Sequence, residues 1–149
     1  MKTKHLILVR LMRNACEKNM SQFEFGRLSN ISLGVLKVLQ DYGAVMSFTH
    51  VDCDEPSVYF IKLNFTKSSR RIFKNLKIIS RRRKQAFVDV PQLIKVNKRF
   101  GGSRDLIILS TDKGVMTSRE ALEKNVGGEV LLATSVGLIK FLKSLGSIE

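Results

Sequence analysis

The sequence predicts an α/β (α+β) protein made of two small domains and an extra C-terminal helix. Three observations lead there. Apolar residues recur at helical spacing in two N-terminal stretches, they alternate at strand spacing between residues 45 and 65, and a cationic run beginning at residue 67 marks a change of composition. An N-terminal helix-strand-helix-hairpin unit is therefore assigned to 1–67, a mostly β domain with a short helix to 68–134, and a helical extension to 135–149.

The elements follow in order. From His5 to Lys18, Leu8, Leu11, Met12 and Ala15 form an apolar helical stripe, with Arg10, Arg13, Asn14 and Lys18 largely off it. Ser21 to Arg27 alternates Phe23 and Phe25 with polar neighbours, which indicates a short strand with one buried side. Ser29 or Asn30 can cap a second helix carrying Ile31, Val35, Val38, Leu39 and Tyr42 on one face, and Gly43 ends it. Val45–Asp52 and Val58–Phe65 are strands of a hairpin, with the turn over Asp52–Pro56.

Arg70 to Lys84 then gathers eight cations around Ile72, Phe73, Leu76, Ile78 and Ile79. Gln85–Val90 reads as a strand, and Pro91 suits the first position of a helix through Lys98, since its missing N–H would be unpaired there in any case. Phe100-Gly101-Gly102-Ser103 leads to a buried strand, Leu106–Leu109, and the chemically dense loop Ser110-Thr111-Asp112-Lys113-Gly114. Thr117 and Glu120 have capping-box spacing for a brief helix, which Asn125 and the pair Gly127-Gly128 are expected to stop. Glu129–Leu132 resumes as a strand. Pairing beside Leu106–Leu109 would bring the polar loop and the Gly-Gly-Glu turn to one rim. Beyond it, Leu138, Ile139, Leu142 and Leu145 share a helical face, which is expected to pack on its own domain.

Charge narrows the partner. Twenty-six Lys and Arg oppose 13 Asp and Glu, a formal +13 that calls for a polyanion. Cys16 and Cys53 lie far apart, and neither they nor His5 and His50 have companions at metal-ligand spacing, so no metal and no cofactor are expected. Arg10 and Arg13 interrupt the apolar start too early for a membrane span. Ser110, Asp112 and Lys113 have no nearby histidine, and no paired carboxylates are apparent, so neither catalysis nor a small-molecule substrate is expected.

The segment STDKGVMTSREA followed by GGEVL resembles the C-terminal signature of the small-subunit ribosomal protein eight family, usually STSKGVMTDREA followed by GGEI or GGEV. Weaker resemblance runs from about Leu8 to Leu132, leaving the final 17 residues without a counterpart. It implies a structural, non-enzymatic constituent of the small ribosomal subunit that binds the central domain of the rRNA beside neighbouring ribosomal proteins. By that resemblance Ser110, Thr111, Lys113, Gly128 and Glu129 contact a distorted rRNA helix, with Gly114 permitting close approach; Asp112 stands where the family usually has serine. Arg13-Asn14 match an Arg-Asn pair of the family's first helix, and Ile79-Ser80-Arg81 its Val-Ser-Arg or Val-Ser-Lys. Arg82-Arg83 replace the usual Pro-Gly, so Arg81, Arg82, Arg83 and Lys84 make a denser phosphate-binding cluster than the family pattern. These departures and the added helix favour an organellar, mitochondrial ribosome, with the bacterial cytoplasm as the alternative. A basic RNA-binding regulator acting outside the ribosome is the competing function.

Overall fold

The computed structural model describes residues 4–26, 29–51, 58–64, 66–80, 84–100, 106–134 and 137–146. It divides into two compact units, residues 1–74 and 75–149. The expected turn at Asp52–Pro56, Cys53, Phe65, Gly101–Ser103, Ser135 and Arg81–Arg83 lie outside the described residues.

The first unit runs α1 (Lys4–Glu17), β1 (Gln22–Phe25), α2 (Asn30–Asp41), β2 (Val45–Val51), β3 (Val58–Leu63) and α3 (Lys67–Asn75). Its sheet is antiparallel in the order β1-β3-β2, so the hairpin expected from the alternation is present, with β1 added to the far edge of β3. Leu8, Met12 and Ala15 of α1 are buried as the stripe requires, but Leu11 is exposed and Val9 is buried in its stead. The apolar residues of this helix cover more than one face, and packing selects the face turned toward Val9. In α2, the Ser29 hydroxyl accepts the Ser32 amide at 3.2 Å, a cap that contributes about 1 kcal/mol. Tyr42 is the exposed C-cap rather than a core residue, and Gly43 follows with φ +80°.

The helix α3 was hidden inside the cationic run. Lys67, Arg70, Arg71 and Lys74 occupy the i, i+3, i+4 and i+7 positions of one exposed face, while Phe73 is buried.

The second unit comprises β4 (Lys77–Ile78), β5 (Phe87–Val88), α4 (Val90–Phe100), β6 (Ile107–Thr111), β7 (Gly114–Thr117), α5 (Ser118–Glu123), β8 (Gly128–Ala133) and α6 (Leu138–Ser144). β8 is the central strand. One edge pairs with β6, which in turn pairs with β7; the other edge is shared end to end by β4 and β5. Ile79 and Ala86 extend this pairing, the Ile79 amide donating to the Leu131 carbonyl at 2.9 Å and the Val130 amide to the Ala86 carbonyl at 2.8 Å, while the Ala86 amide donates to the buried Ser80 hydroxyl at 2.7 Å.

Helix α4 begins earlier than the proline suggests. Asp89 and Gln92 form a reciprocal capping box: the Gln92 amide donates to Asp89 Oδ1 at 2.9 Å and the Asp89 amide to Gln92 Oε1 at 3.0 Å. Thr117 caps α5 by accepting the Glu120 amide at 3.3 Å, and its hydroxyl lies 3.4 Å from the Glu120 carboxylate, which it approaches in place of an orphan backbone amide.

Of the residues expected to stop α5, Asn125 does so and the glycine pair does not. Asn125 takes the left-handed conformation, φ +56°, and the amides of Asn125 and Val126 return to the carbonyls of Leu122 and Ala121, which is the Schellman arrangement. Neither Gly127 nor Gly128 has positive φ; they are needed for close approach. A Cβ on Gly127 would collide with the Val88 carbonyl oxygen, and one on Gly128 with the Ser110 carbonyl oxygen.

A core of Val88, Leu93, Val96, Leu109, Val130 and their neighbours includes Leu138 and Leu142 of α6, both fully buried. The terminal helix thus packs on its own unit. Two predictions follow from this packing. Gly128→Ala should destabilise the protein by about 1–3 kcal/mol through backbone overpacking, whereas Asn125→Gly should be neutral or slightly stabilising in denaturant titration. Leu142→Ala should cost about 2–5 kcal/mol, read as a lowered thermal midpoint; an unchanged midpoint would show that α6 is dispensable to the core.

Candidate nucleic-acid interface

The polar segment expected to be a loop is mostly strand. Ser110 and Thr111 complete β6, Gly114 opens β7, and only Asp112 and Lys113 form the turn, both exposed. β7 escaped sequence reading because its two apolar residues, Val115 and Met116, are too few to show an alternation; pairing with β6 creates the strand.

Thr111 shapes this hairpin. Its hydroxyl donates to the Gly114 carbonyl at 2.9 Å and accepts the Lys113 amide at 3.1 Å. Gly114 supplies the φ of +112° that the turn requires and that side-chain-bearing residues rarely adopt. One acceptor lone pair on Thr111 remains for a ligand, but the donor is committed. Ser110 differs: the residue is half-buried, and its hydroxyl makes no hydrogen bond among the described residues.

Register brings the two polar segments together. Thr111 lies between Gly114 on β7 and Gly128 on β8, and Ser110 between Val115 and Glu129. On the far edge of β8, Phe87 pairs with Glu129 and Val88 with Gly128. Cross-strand partners of an antiparallel sheet point to the same face. Phe87, Glu129, Ser110 and Val115 therefore form one row across four strands, with the Asp112-Lys113 tip at the end of the β6–β7 hairpin.

Phe87 is the residue the sequence reading did not single out. It is 53% exposed, an unusual position for a phenylalanine in a strand, and it stands beside Glu129 in the row. Its neighbours, Ala86 and Val88, are both buried, so the local pattern gave no sign of which side chain would face outward.

The cationic members are distributed differently. Lys84 is exposed, two residues before the Ala86 amide that donates to the Ser80 hydroxyl; Arg81, Arg82 and Arg83 lie outside the described residues. Arg13 and Asn14 belong to the other compact unit, on α1. Asn14 is exposed. Arg13 is half-buried and, with Cys16, Glu17, Arg70, Phe73 and Lys74, lines a cavity of about 370 Å³. Adjacent residues on a helix point roughly 100° apart, so the pair does not present a single surface.

Among the described residues no cluster of three His, Cys, Asp or Glu side chains is placed to hold a metal ion, and no helix is long and apolar enough to cross a membrane. The arrangement offers other chemistry: a free hydroxyl, a carboxylate, an exposed aromatic face and backbone polar groups along a rigid strand end, bordered by ammonium groups. Such a set suits unstacked bases and ribose hydroxyls, which accept directional hydrogen bonds and stacking, better than it suits a regular duplex groove.

Comparison with known proteins gives the same direction. A family model described as Ribosomal protein S8 matches residues 7–134. A small ribosomal subunit protein uS8 from Enterococcus faecalis is 32% identical over 103 residues, covering 69% of this chain and 75% of the relative. Proteins of the same name from Streptococcus pyogenes serotypes M5 and M1 align with the same identity and coverage. With a match over most of its length, including the hairpin and the Gly-Gly-Glu strand that build the polar row, the chain belongs to the ribosomal protein S8 family.

Proposed function

We propose that this chain is a structural, non-catalytic constituent of the small ribosomal subunit that binds the central domain of the subunit's rRNA, supports its assembly and adjoins neighbouring ribosomal proteins. The observation that carries the reading is the row Phe87–Glu129–Ser110–Val115, held in register at one end of a sheet and flanked by the Asp112-Lys113 turn. RNA contact is assigned chiefly to residues 68–134, with 135–149 as an extension.

Each group has a distinct task. Ser110 donates to a base edge or ribose, and the Glu129 carboxylate accepts from an amino group or a 2′-hydroxyl. Phe87 offers its face to an unstacked base, an interaction that contributes about 1–3 kcal/mol per base. Thr111 acts first by fixing the turn that aims Lys113 at phosphate; Gly114 and Gly128 let backbones approach. Asp112 adds negative charge at the tip, where it accepts a hydrogen bond but weakens phosphate attraction. Lys84, together with Arg81, Arg82 and Arg83, holds backbone without reading sequence, and Arg13 and Asn14 contribute from α1.

The relatives named above are bacterial. The excess of cations and the helix beyond residue 134 favour a mitochondrial ribosome for this chain, with the bacterial cytoplasm as the alternative.

Ser110→Ala should reduce affinity for a central-domain rRNA fragment about tenfold, the equivalent of roughly 1.4 kcal/mol, while scarcely changing affinity for an unrelated duplex. Thr111→Ser should retain binding and Thr111→Val should lose it along with the turn geometry. Arg82→Ala with Arg83→Ala should weaken both RNAs alike. Equal losses on both RNAs for Ser110→Ala would remove the assigned division of labour. In moderate salt the chain should sediment stoichiometrically with small subunits; recovery only at the top of the gradient would favour a regulator outside the ribosome.

A further inference from the structure

The helix α6 lies beyond the residues matched by the family model, which end at 134, yet it is built into the second unit. Its Leu138 and Leu142 are in the core. It also touches α4 at two places. Near the N-terminal end of α4, Gln92 Nε2 donates to the Leu145 carbonyl at 3.1 Å; near the other end, the Arg99 guanidinium stands 5.3 Å from the centre of the Phe141 ring and Phe100 meets the same ring edge-on at 5.4 Å. Pairing of first with last and last with middle means that the two helices run antiparallel, side by side.

Helical period then decides what faces outward. On α4 the buried residues are Leu93, Val96 and Phe100, and Lys95 and Lys98 lie on the opposite, exposed side. On α6, Leu138 and Leu142 point inward while Lys140 and Lys143 are exposed. Neither helix contains an acidic residue. The outer surface of this helix pair therefore carries four lysines around the exposed Ile94 of α4, with Arg99 partly held by aromatic rings at the seam between the helices.

We propose that the α4–α6 face is a second RNA-binding surface, one that takes the phosphate backbone of a duplex without regard to sequence. Charge complementarity selects the occupant. Lysine is depleted in protein–protein interfaces because its long, strongly hydrated side chain is costly to immobilise, whereas a phosphate backbone accepts mobile ammonium groups at many geometries. Lys95 and Lys98 on α4, and Lys140 and Lys143 on α6, each stand about one turn apart, so each pair presents its ammonium groups to the same side of its helix. The surface uses none of the residues of the row Phe87–Glu129–Ser110–Val115; α4 lies within the residues matched by the family model and α6 beyond them, and the proposal deepens the rRNA reading, on which it rests, by adding affinity from this second set of cations.

The test uses the full chain and two probes, a central-domain rRNA fragment and a blunt RNA duplex of arbitrary sequence. The variant K95Q/K98Q/K140Q/K143Q should flatten the dependence of log affinity on log salt by about three to four units on both probes, since each phosphate contact contributes close to one. Replacing the four lysines with arginine should preserve the slope. A control, R10Q/K18Q/K37Q/K62Q, removes equal charge from exposed positions of the first unit and should change it far less. All eight positions are exposed, so unchanged thermal midpoints are expected. An unaltered slope in the first variant, or an equal change in the control, overturns the proposal. Should the parent protein show no preference for the rRNA fragment, the assigned rRNA role fails, while a slope difference between the two variants would still sustain this surface.

Discussion

The approach of β8 to β6 at Gly128 is the constraint from which the rest of the second unit follows. A Cβ there would meet the Ser110 carbonyl oxygen, and one at Gly127 would meet that of Val88, so two consecutive residues must lack side chains for β8 to enter between its neighbours. Once it is seated, β8 carries β6 on one edge and both β4 and β5 on the other. The row of side chains across the sheet end is then fixed by backbone register, which a strand cannot shift by one residue without turning every side chain to the opposite face.

This division between framework and ligand-facing groups runs through the hairpin as well. Thr111 and Ser110 are neighbours of similar chemistry, but alternation sends them to opposite faces of β6. Thr111 turns toward the two glycines and uses its hydroxyl on the backbone of its own turn. Ser110 turns toward Glu129 and leaves its hydroxyl without a protein partner among the described residues. A hydroxyl that no protein group engages can exchange its water for a ligand's hydrogen bond without breaking a contact of the fold. In the proposed reading, specificity is concentrated at Ser110 and its row, while Thr111 holds that row in aim.

Much of this was legible in the sequence, for identifiable reasons. Long apolar periodicities gave α1, α2 and the β2–β3 hairpin, and cap chemistry gave the starts of α2 and α5 at Ser29 and Thr117. The failures have common causes. Helix α3 advertises itself by a period of cations rather than of apolar residues. The capping box Asp89–Gln92 was masked by Pro91, whose preference for an early helical position drew the boundary one residue too far. Leu11 and Tyr42 sit at the margins of apolar stripes, where packing and not spacing decides burial. Gly127-Gly128 reads locally as a left-handed stop because close approach of distant strands leaves no local signature. Phe87 was missed for a related reason: a two-residue strand is too short for its outward face to be read from alternation.

The terminal helix shows how an addition to a family can become structural and exposed at once. Leu138 and Leu142 do not cover an already complete surface; they belong to the same buried cluster as Leu93, Phe100 and Val130. Their burial fixes the rotation of α6, and the antiparallel seam with α4 fixes its direction through Gln92, Arg99 and Phe141. With rotation and direction both set, the outward orientation of Lys140 and Lys143 is not an independent choice but the other side of the same helical period. The apolar stripe that stabilises the second unit and the cationic stripe that extends its surface are thus a single property of seven residues, and a change that loosens the first must also scatter the second.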